Sequence, residues 1–253
     1  MEHNERKKEM SPAERRRRME AKKRRQEALK RKKRKRLMLI IGMIVAALVI
    51  IGLVVFLITK LVSGGSKTIS SENGTFVIAL DPGHGGEDVG MTGGGTAEKQ
   101  VTLDICSKLK VMLESQGCQV VMLREDDTRL PKEERVQSAN ASGADLLVSV
   151  HCGYSEDTSA SGAISHYKKD SKQSAYLAKM IEDALVKESG ASNGGTQEGD
   201  YSIVSNTDMP AVLVEVGYIS NDAEAQSLGD DNYQNDIAKG IAKGIIMSLE
   251  KSE

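Results

Sequence analysis

Hydrophobic and polar positions divide the chain into one long uncharged run and, after it, a series of short apolar bursts between amphipathic stretches. Residues 37–58 are 22 residues without a charge. As a helix, at about 1.5 Å of rise per residue, they extend about 33 Å, enough for a bilayer core. The run and its basic lead are both longer than in a cleaved signal peptide, whose apolar stretch is roughly 7–15 residues. The pattern predicts an uncleaved transmembrane signal anchor at 37–58, with cleavage near 63–64 as the alternative.

From about residue 74 the period changes. Residues 76–80 read as a buried strand. Over 101–116, Leu103, Leu109, Met112 and Leu113 share one side of a helix that Gly117 stops. Strand patterns follow at 119–123, 145–150 and 163–167, with helices over 131–141 and 171–187. Strands are predicted at 201–204 and 211–216. A last helix spans 233–249, where Ile237, Ile241, Ile245 and Leu249 repeat every four residues. Strands alternating with helices predict an α/β sandwich with helices on both faces of a central sheet, preceded by one transmembrane helix.

Charge sharpens this division. The chain has 253 residues and a formal net charge of -1, but residues 1–36 hold 18 Lys+Arg against 6 Asp+Glu, and the remainder 17 against 30. The predicted organisation is a basic cytoplasmic tail at 1–36, the anchor at 37–58, a linker at 59–73 containing Ser63-Gly64-Gly65-Ser66, and one domain over 74–253. The excess of Lys and Arg before the span predicts a single-pass cell-membrane protein with a cytoplasmic N-terminus and its domain outside. No aromatic or motif signal supports nucleic-acid binding, and none is expected. With no Trp, 2 Phe and 6 Tyr, the core must be aliphatic. Three cysteines exclude a disulfide-dense scaffold.

Candidate chemistry sits at strand ends. His84 follows Leu80-Asp81-Pro82-Gly83, and His151 ends Leu146-Leu147-Val148-Ser149-Val150. Ligands of open α/β sheets bind outside the carboxyl ends of strands. Two His there, with glycines that let the backbone approach, form a candidate metal pair. A carboxylate would complete a two-His, one-acid zinc set with one open position. Asp81, Glu87, Asp88 and Glu98 are all near, and spacing does not choose among them. Glu215 interrupts the apolar strand 211–216, and a lone buried carboxylate needs a partner or a metal; near a metal site it suits a general base. His166 reads as a partly exposed strand residue rather than a ligand. Cys152 suggests a thiol nucleophile only if it has its own base. Cys106 and Cys118 read as small buried hydrophobes.

Four segments together carry a resemblance: Ile78-Ala79-Leu80-Asp81-Pro82-Gly83-His84-Gly85-Gly86; Glu98-Lys99-Gln100-Val101-Thr102-Leu103; Ser149-Val150-His151; and Pro210-Ala211-Val212-Leu213-Val214-Glu215-Val216-Gly217-Tyr218-Ile219-Ser220-Asn221. Over about 76–249 the chain resembles the zinc-dependent N-acetylmuramoyl-L-alanine amidases of bacterial cell walls. The resemblance implies a three-layer α/β sandwich around a mixed, mostly parallel sheet. It implies one catalytic Zn2+ on His84, Glu98 and His151, and Glu215 as the catalytic glutamate. The implied reaction is hydrolysis of the amide between N-acetylmuramic acid and L-alanine in peptidoglycan, and the resemblance leaves room for a protein activator. A small-residue loop at 90–96 is expected to form one wall of the substrate groove. Two positions depart from the family pattern: Gly153 stands where Asn is usual, and Asn193-Gly194-Gly195 lacks an Arg often found there. They raise the alternative of a catalytically weakened protein that binds wall or recruits partners.

Overall fold

The computed structural model describes residues 74–249 without a break, together with Ile69, Ser71 and separate positions between 19 and 50. The chain divides into two compact units, Met1–Gly64 and Gly65–Glu253. In the first, the described residues, among them Lys30 to Arg34, Met38 and Met43, are helical and exposed.

In the second unit the strands are β1 (Val77–Pro82), β2 (Thr92–Gly93), β3 (Thr96–Ala97), β4 (Gln119–Met122), β5 (Leu146–Gly153), β6 (Ala163–Tyr167), β7 (Asn193–Glu198) and β8 (Ala211–Tyr218). The helices are α1 (Glu98–Ser115), α2 (Lys132–Ala141), α3 (Lys172–Ser189), α4 (Ser202–Ser205), α5 (Asp222–Leu228) and α6 (Asp231–Ser248). Six strands form one sheet in the order β4-β1-β5-β8-β6-β7, and β2 and β3 form a small antiparallel hairpin. All neighbours in the large sheet are parallel except β6 and β8. The mixed α/β expectation holds.

The alternation of each central strand explains the layers. On one face Ile78, Leu80, Val148, Val150, Val212 and Val214 pack under α1, α3 and α6. On the other, Ala79, Leu147, Ala211 and Leu213 meet Ala139 of α2 and Ile203 and Val204 of α4. Helices α3 and α6 touch through glycine. A Cβ on Gly240 would lie 2.5 Å from Leu185 Cα, and one on Gly244 2.4 Å from Ile181 Cα.

Four expectations are corrected. The first is the transmembrane helix: among the described residues no helix is long and apolar enough to cross a membrane. The long helices α1, α3 and α6 carry charges on an outer face, as in Lys239 and Lys243 of α6, and α4 is a single turn, so none offers the roughly 20 uncharged residues a bilayer demands. Of the run 37–58 itself only Met38, Gly42, Met43 and Ile50 are described, and the rest lies outside the described residues, as do most of 1–36 and 59–73. Second, 201–204 is not a strand: Tyr201 caps α4, whose Ile203 and Val204 turn inward as one helical turn. Third, β7 and α5 were not expected. Asn193–Glu198 is a polar strand at the sheet edge with no apolar alternation, and α5 starts at an Asn221 cap whose side chain accepts from Ala223 and Glu224. Fourth, of 90–96 only Gly90 and Met91 line the cleft, because the β2–β3 hairpin packs elsewhere: a Cβ on Gly93 would lie 2.0 Å from Ile219 O.

Candidate metal centre

β1 and β5 run parallel with Pro82 opposite Val150, so the loop after β1 meets the end of β5. His84 lies in that loop and His151 on that strand. The loop is clamped through its carbonyls. Arg124 Nε donates to Pro82 O (3.0 Å) and its Nη2 to Gly83 O (2.8 Å). Arg135 Nη1 donates to Pro82 O (2.7 Å) and Nη2 to His84 O (2.5 Å). Arg135 is itself held by the buried Asp81, which also accepts from Ser149 Oγ at 2.7 Å. This grip keeps His84 at φ 62°, a left-handed conformation few side chains adopt.

Glu98 is the first residue of α1 and 2% exposed. Its Oε2 accepts from Met91 N (3.0 Å) and its Oε1 from Cys152 N (2.9 Å). The same carboxylate faces both rings, with His84 Nε2 at 3.1 Å from Oε2 and His151 Nδ1 at 2.9 Å from Oε1. The rings stand edge to face with centroids 5.0 Å apart. Close approach requires glycine: a Cβ on Gly83 would sit 2.4 Å from His151 Cε1, and one on Gly90 2.6 Å from Glu98 Oε2. Among the described residues, His84, Glu98 and His151 form one group whose ligand atoms lie within 4.8 Å of one another.

Electrostatics agree with a cation site. Burial alone would raise Glu98, yet its hydrogen bonds to His151 and His84 draw it well below the usual carboxylate range. Burial would lower His84, yet the Glu98 and Asp88 carboxylates outweigh it and hold it raised. His84 Nδ1 donates to Asp88 Oδ1 at 2.9 Å. That bond holds the ring with Nε2 toward Glu98, the outer support a metal-ligating His requires, and Nε2 is the nitrogen that would ligate once its proton is displaced by a cation. Two imidazoles and a carboxylate meet the donor chemistry of zinc, and the residues present fit such an ion.

Glu215 on β8 is the register partner of His151 on β5, so the two side chains rise from the same face of the sheet. A register shift just beyond them, between His151 and Gly153, ends the regular pairing. Glu215 is among the residues lining a cleft of about 810 Å³ that also contains His84, Glu98 and His151. Arg129 and Lys132 lie along this cleft, as do Tyr201 and Ile203. All four residues expected at the site therefore open into one cavity.

His166 does not join the metal group, but it is 4% exposed rather than partly open, and its Nε2 lies 3.2 Å from Glu215 Oε2. The signal that could have found it is the need of an inward Glu for a partner, with one His in the domain left unassigned. Cys152 is buried, and its thiol is pushed well above the usual range by burial, then by Glu98 and Glu215, which disfavours a thiolate there. The two departures also find physical reasons. A Cβ on Gly153 would stand 3.2 Å from the Tyr218 ring, which covers that position. At 194 a Cβ would fall 2.3 Å from Ile164 Cγ1 and 2.5 Å from Ala163 O, so no side chain fits.

Fold and site together define a layered α/β domain with a two-His, one-Glu candidate metal centre at the carboxyl ends of its strands. The chain belongs to the N-acetylmuramoyl-L-alanine amidase family, which matches residues 78–247. It is 37% identical over 186 residues to the germination-specific N-acetylmuramoyl-L-alanine amidase of Bacillus subtilis, covering 67% of this chain and 78% of that one. Among solved structures, the catalytic domain of the amidase CwlV from Bacillus (Paenibacillus) polymyxa is 32% identical with a TM-score of 0.67, covering 70% of this chain and all of that one. The CwlD amidase of Clostridioides difficile, solved in complex with the GerS lipoprotein, is 32% identical with a TM-score of 0.66, covering 69% of this chain and 98% of that one.

Proposed function

We propose that this chain is a zinc-dependent hydrolase that cleaves the amide between N-acetylmuramic acid and L-alanine in peptidoglycan. The observation that carries the reading is the meeting of His84, Glu98 and His151 in a cleft with Glu215 on the neighbouring strand. His84 and His151 would hold zinc through ring nitrogens and Glu98 through its carboxylate. When bound, zinc supplies Lewis acidity and brings the pKa of a water toward about 7. Glu215 takes the proton of the attacking water at its carboxylate and returns it to the amide nitrogen as the bond to carbon breaks. The cleft seats the glycan and stem peptide, and its rim is of mixed charge, with Arg129, paired with Glu87, and Lys132 beside Asp88, Glu133 and Asp200.

The work is assigned to the domain over 74–253, on the outer side of the cell membrane where this polymer lies. The solved complex of CwlD with a lipoprotein supports a protein partner for this chain as well. The test is digestion of purified peptidoglycan by the full chain. New amino termini should appear, stop with chelator and return with zinc. Glu215→Gln should retain zinc and release none; turnover at the wild-type rate in that variant would sink the assignment. Zinc-free protein that still pellets with wall and never releases amino termini would instead identify the weakened, wall-binding alternative.

A further inference from the structure

We infer that His166 is a positioning residue for Glu215 and that Gln197 fixes the imidazole tautomer through which it acts. The inference rests on the reading of Glu215 as the proton-transferring group. β6 runs antiparallel to β8 with His166 opposite Leu213 and Ile164 opposite Glu215, so His166 lies diagonal to Glu215 on the same face. The ring is buried, and its Nε2 reaches Glu215 Oε2 at 3.2 Å. Its other nitrogen, Nδ1, lies 3.2 Å from Gln197 Nε2, and Gln197 is its register partner on β7.

As the Gln197 amide is oriented, its nitrogen rather than its oxygen faces the ring. An amide nitrogen only donates, so His166 Nδ1 accepts from Gln197. The ring proton then sits on Nε2 and is donated to Glu215. One carboxylate oxygen of Glu215 is held by that bond, and the other is left for the substrate side. Tyr201 holds the ring in place from the cleft side, with centroids 4.9 Å apart at 60°. Gly199 permits this packing, since a Cβ there would lie 2.8 Å from Tyr201 Cδ2 and 2.9 Å from His166 Cβ. His84 and His151 both face Glu98, so His166 is the imidazole that orients Glu215. A Glu side chain has three rotatable bonds, and a misplacement of about 1 Å at a reacting group can lower turnover roughly 100-fold.

The experiment compares His166→Phe, His166→Gln, Gln197→Leu and Glu215→Gln in the full chain on solubilised peptidoglycan strands, with zinc content and melting recorded. His166→Phe should lower kcat roughly 10- to 100-fold, with KM within about twofold and zinc per chain unchanged. His166→Gln keeps an N–H donor and should recover most of that loss. Gln197→Leu releases the tautomer and should fall between. A kcat for His166→Phe within twofold of wild type overturns the inference, and so does equal loss in the Phe and Gln variants. If His166→Phe does not fold, the exposed Gln197→Leu decides: a reduced kcat supports the inference and an unchanged one overturns it. Full activity in Glu215→Gln strikes the underlying reading. An inactive Glu215→Gln beside a fully active His166→Phe strikes this inference alone.

Discussion

Asp88 touches no other candidate ligand than His84, yet it decides which nitrogen of that ring is free. Partners of this kind are worth about 10- to 100-fold in metal affinity. Asp88→Ala should weaken zinc binding by about that factor, read by competition with a calibrated chelator, while the fold remains. Glu182 is a different case. It lies on α3, 1% exposed, with Ser165 Oγ donating to Oε2 at 2.7 Å and Oε1 without a partner. Burial, only partly opposed by the Ser165 bond, pushes its carboxyl up to about 7. The folded state therefore holds this proton more tightly than the unfolded chain, whose value is the ordinary 4.5. Its burden on stability is absent below about pH 4.5, grows as pH rises from there to 7 and is full above it. Glu182→Gln should gain about 2 kcal/mol at pH 8 relative to its effect at pH 5, and denaturant melts at the two pH values would show it. At this scale the sequence reveals His84 and His151, because both follow an apolar run. It leaves Glu98 among four acids, since only the folded chain shows which carboxylate turns between the rings. It hides the pairing of His166 with Glu215, because an antiparallel strand 49 residues away makes it.

The contact of α3 with α6 depends on absent side chains. Gly240 and Gly244 each disfavour a helix interior by about 1 kcal/mol relative to Ala, so local preference alone would replace them. The approach of 2.4 Å that a Cβ at 244 would make to the Ile181 backbone reverses that preference. Gly244→Ala should destabilise by about 1–3 kcal/mol, seen as a lower midpoint of urea unfolding with an unchanged slope. An equal or higher midpoint would show that the helices can part at little cost. Long amphipathic segments are legible because one buried stripe repeats over several turns, as Ile237, Ile241 and Ile245 do. Short ones are not. The four residues at 201–204 serve a strand or a helical turn equally well until α4 is seen to tuck Ile203 and Val204 beside Leu213. β7 has two glycines and no apolar alternation, so nothing in its six residues marks a strand.

For the whole unit, the three candidate ligands come from a loop, a helix start and a strand end that are 67 residues apart in the chain, from His84 to His151. Zinc held there as proposed binds only the folded state. At a free concentration of 100 times Kd it adds about 2.7 kcal/mol, or about 5–10 °C in melting temperature for a unit of this size. Calorimetry with and without zinc measures this, and identical melting would argue against the ligand set. The α/β class and the two helical layers are legible from alternation. The order of the strands is not, because nothing local says that β8 enters between β5 and β6. The uncharged run 37–58 satisfies a membrane criterion by composition, whereas the described helices satisfy the opposite one, each with a wet and a dry side.

Among the described residues the sheet ends at β7, whose residues are nearly all exposed and whose outer edge pairs with no further strand. Edge segments with few apolar contacts open most readily in the native state. Gln197 belongs to that segment, so the proton position on a buried ring is governed from the part of the sheet that frays first. Each brief opening of the rim would free the imidazole to exchange its proton between nitrogens, and the interior of the site would register breathing at the surface.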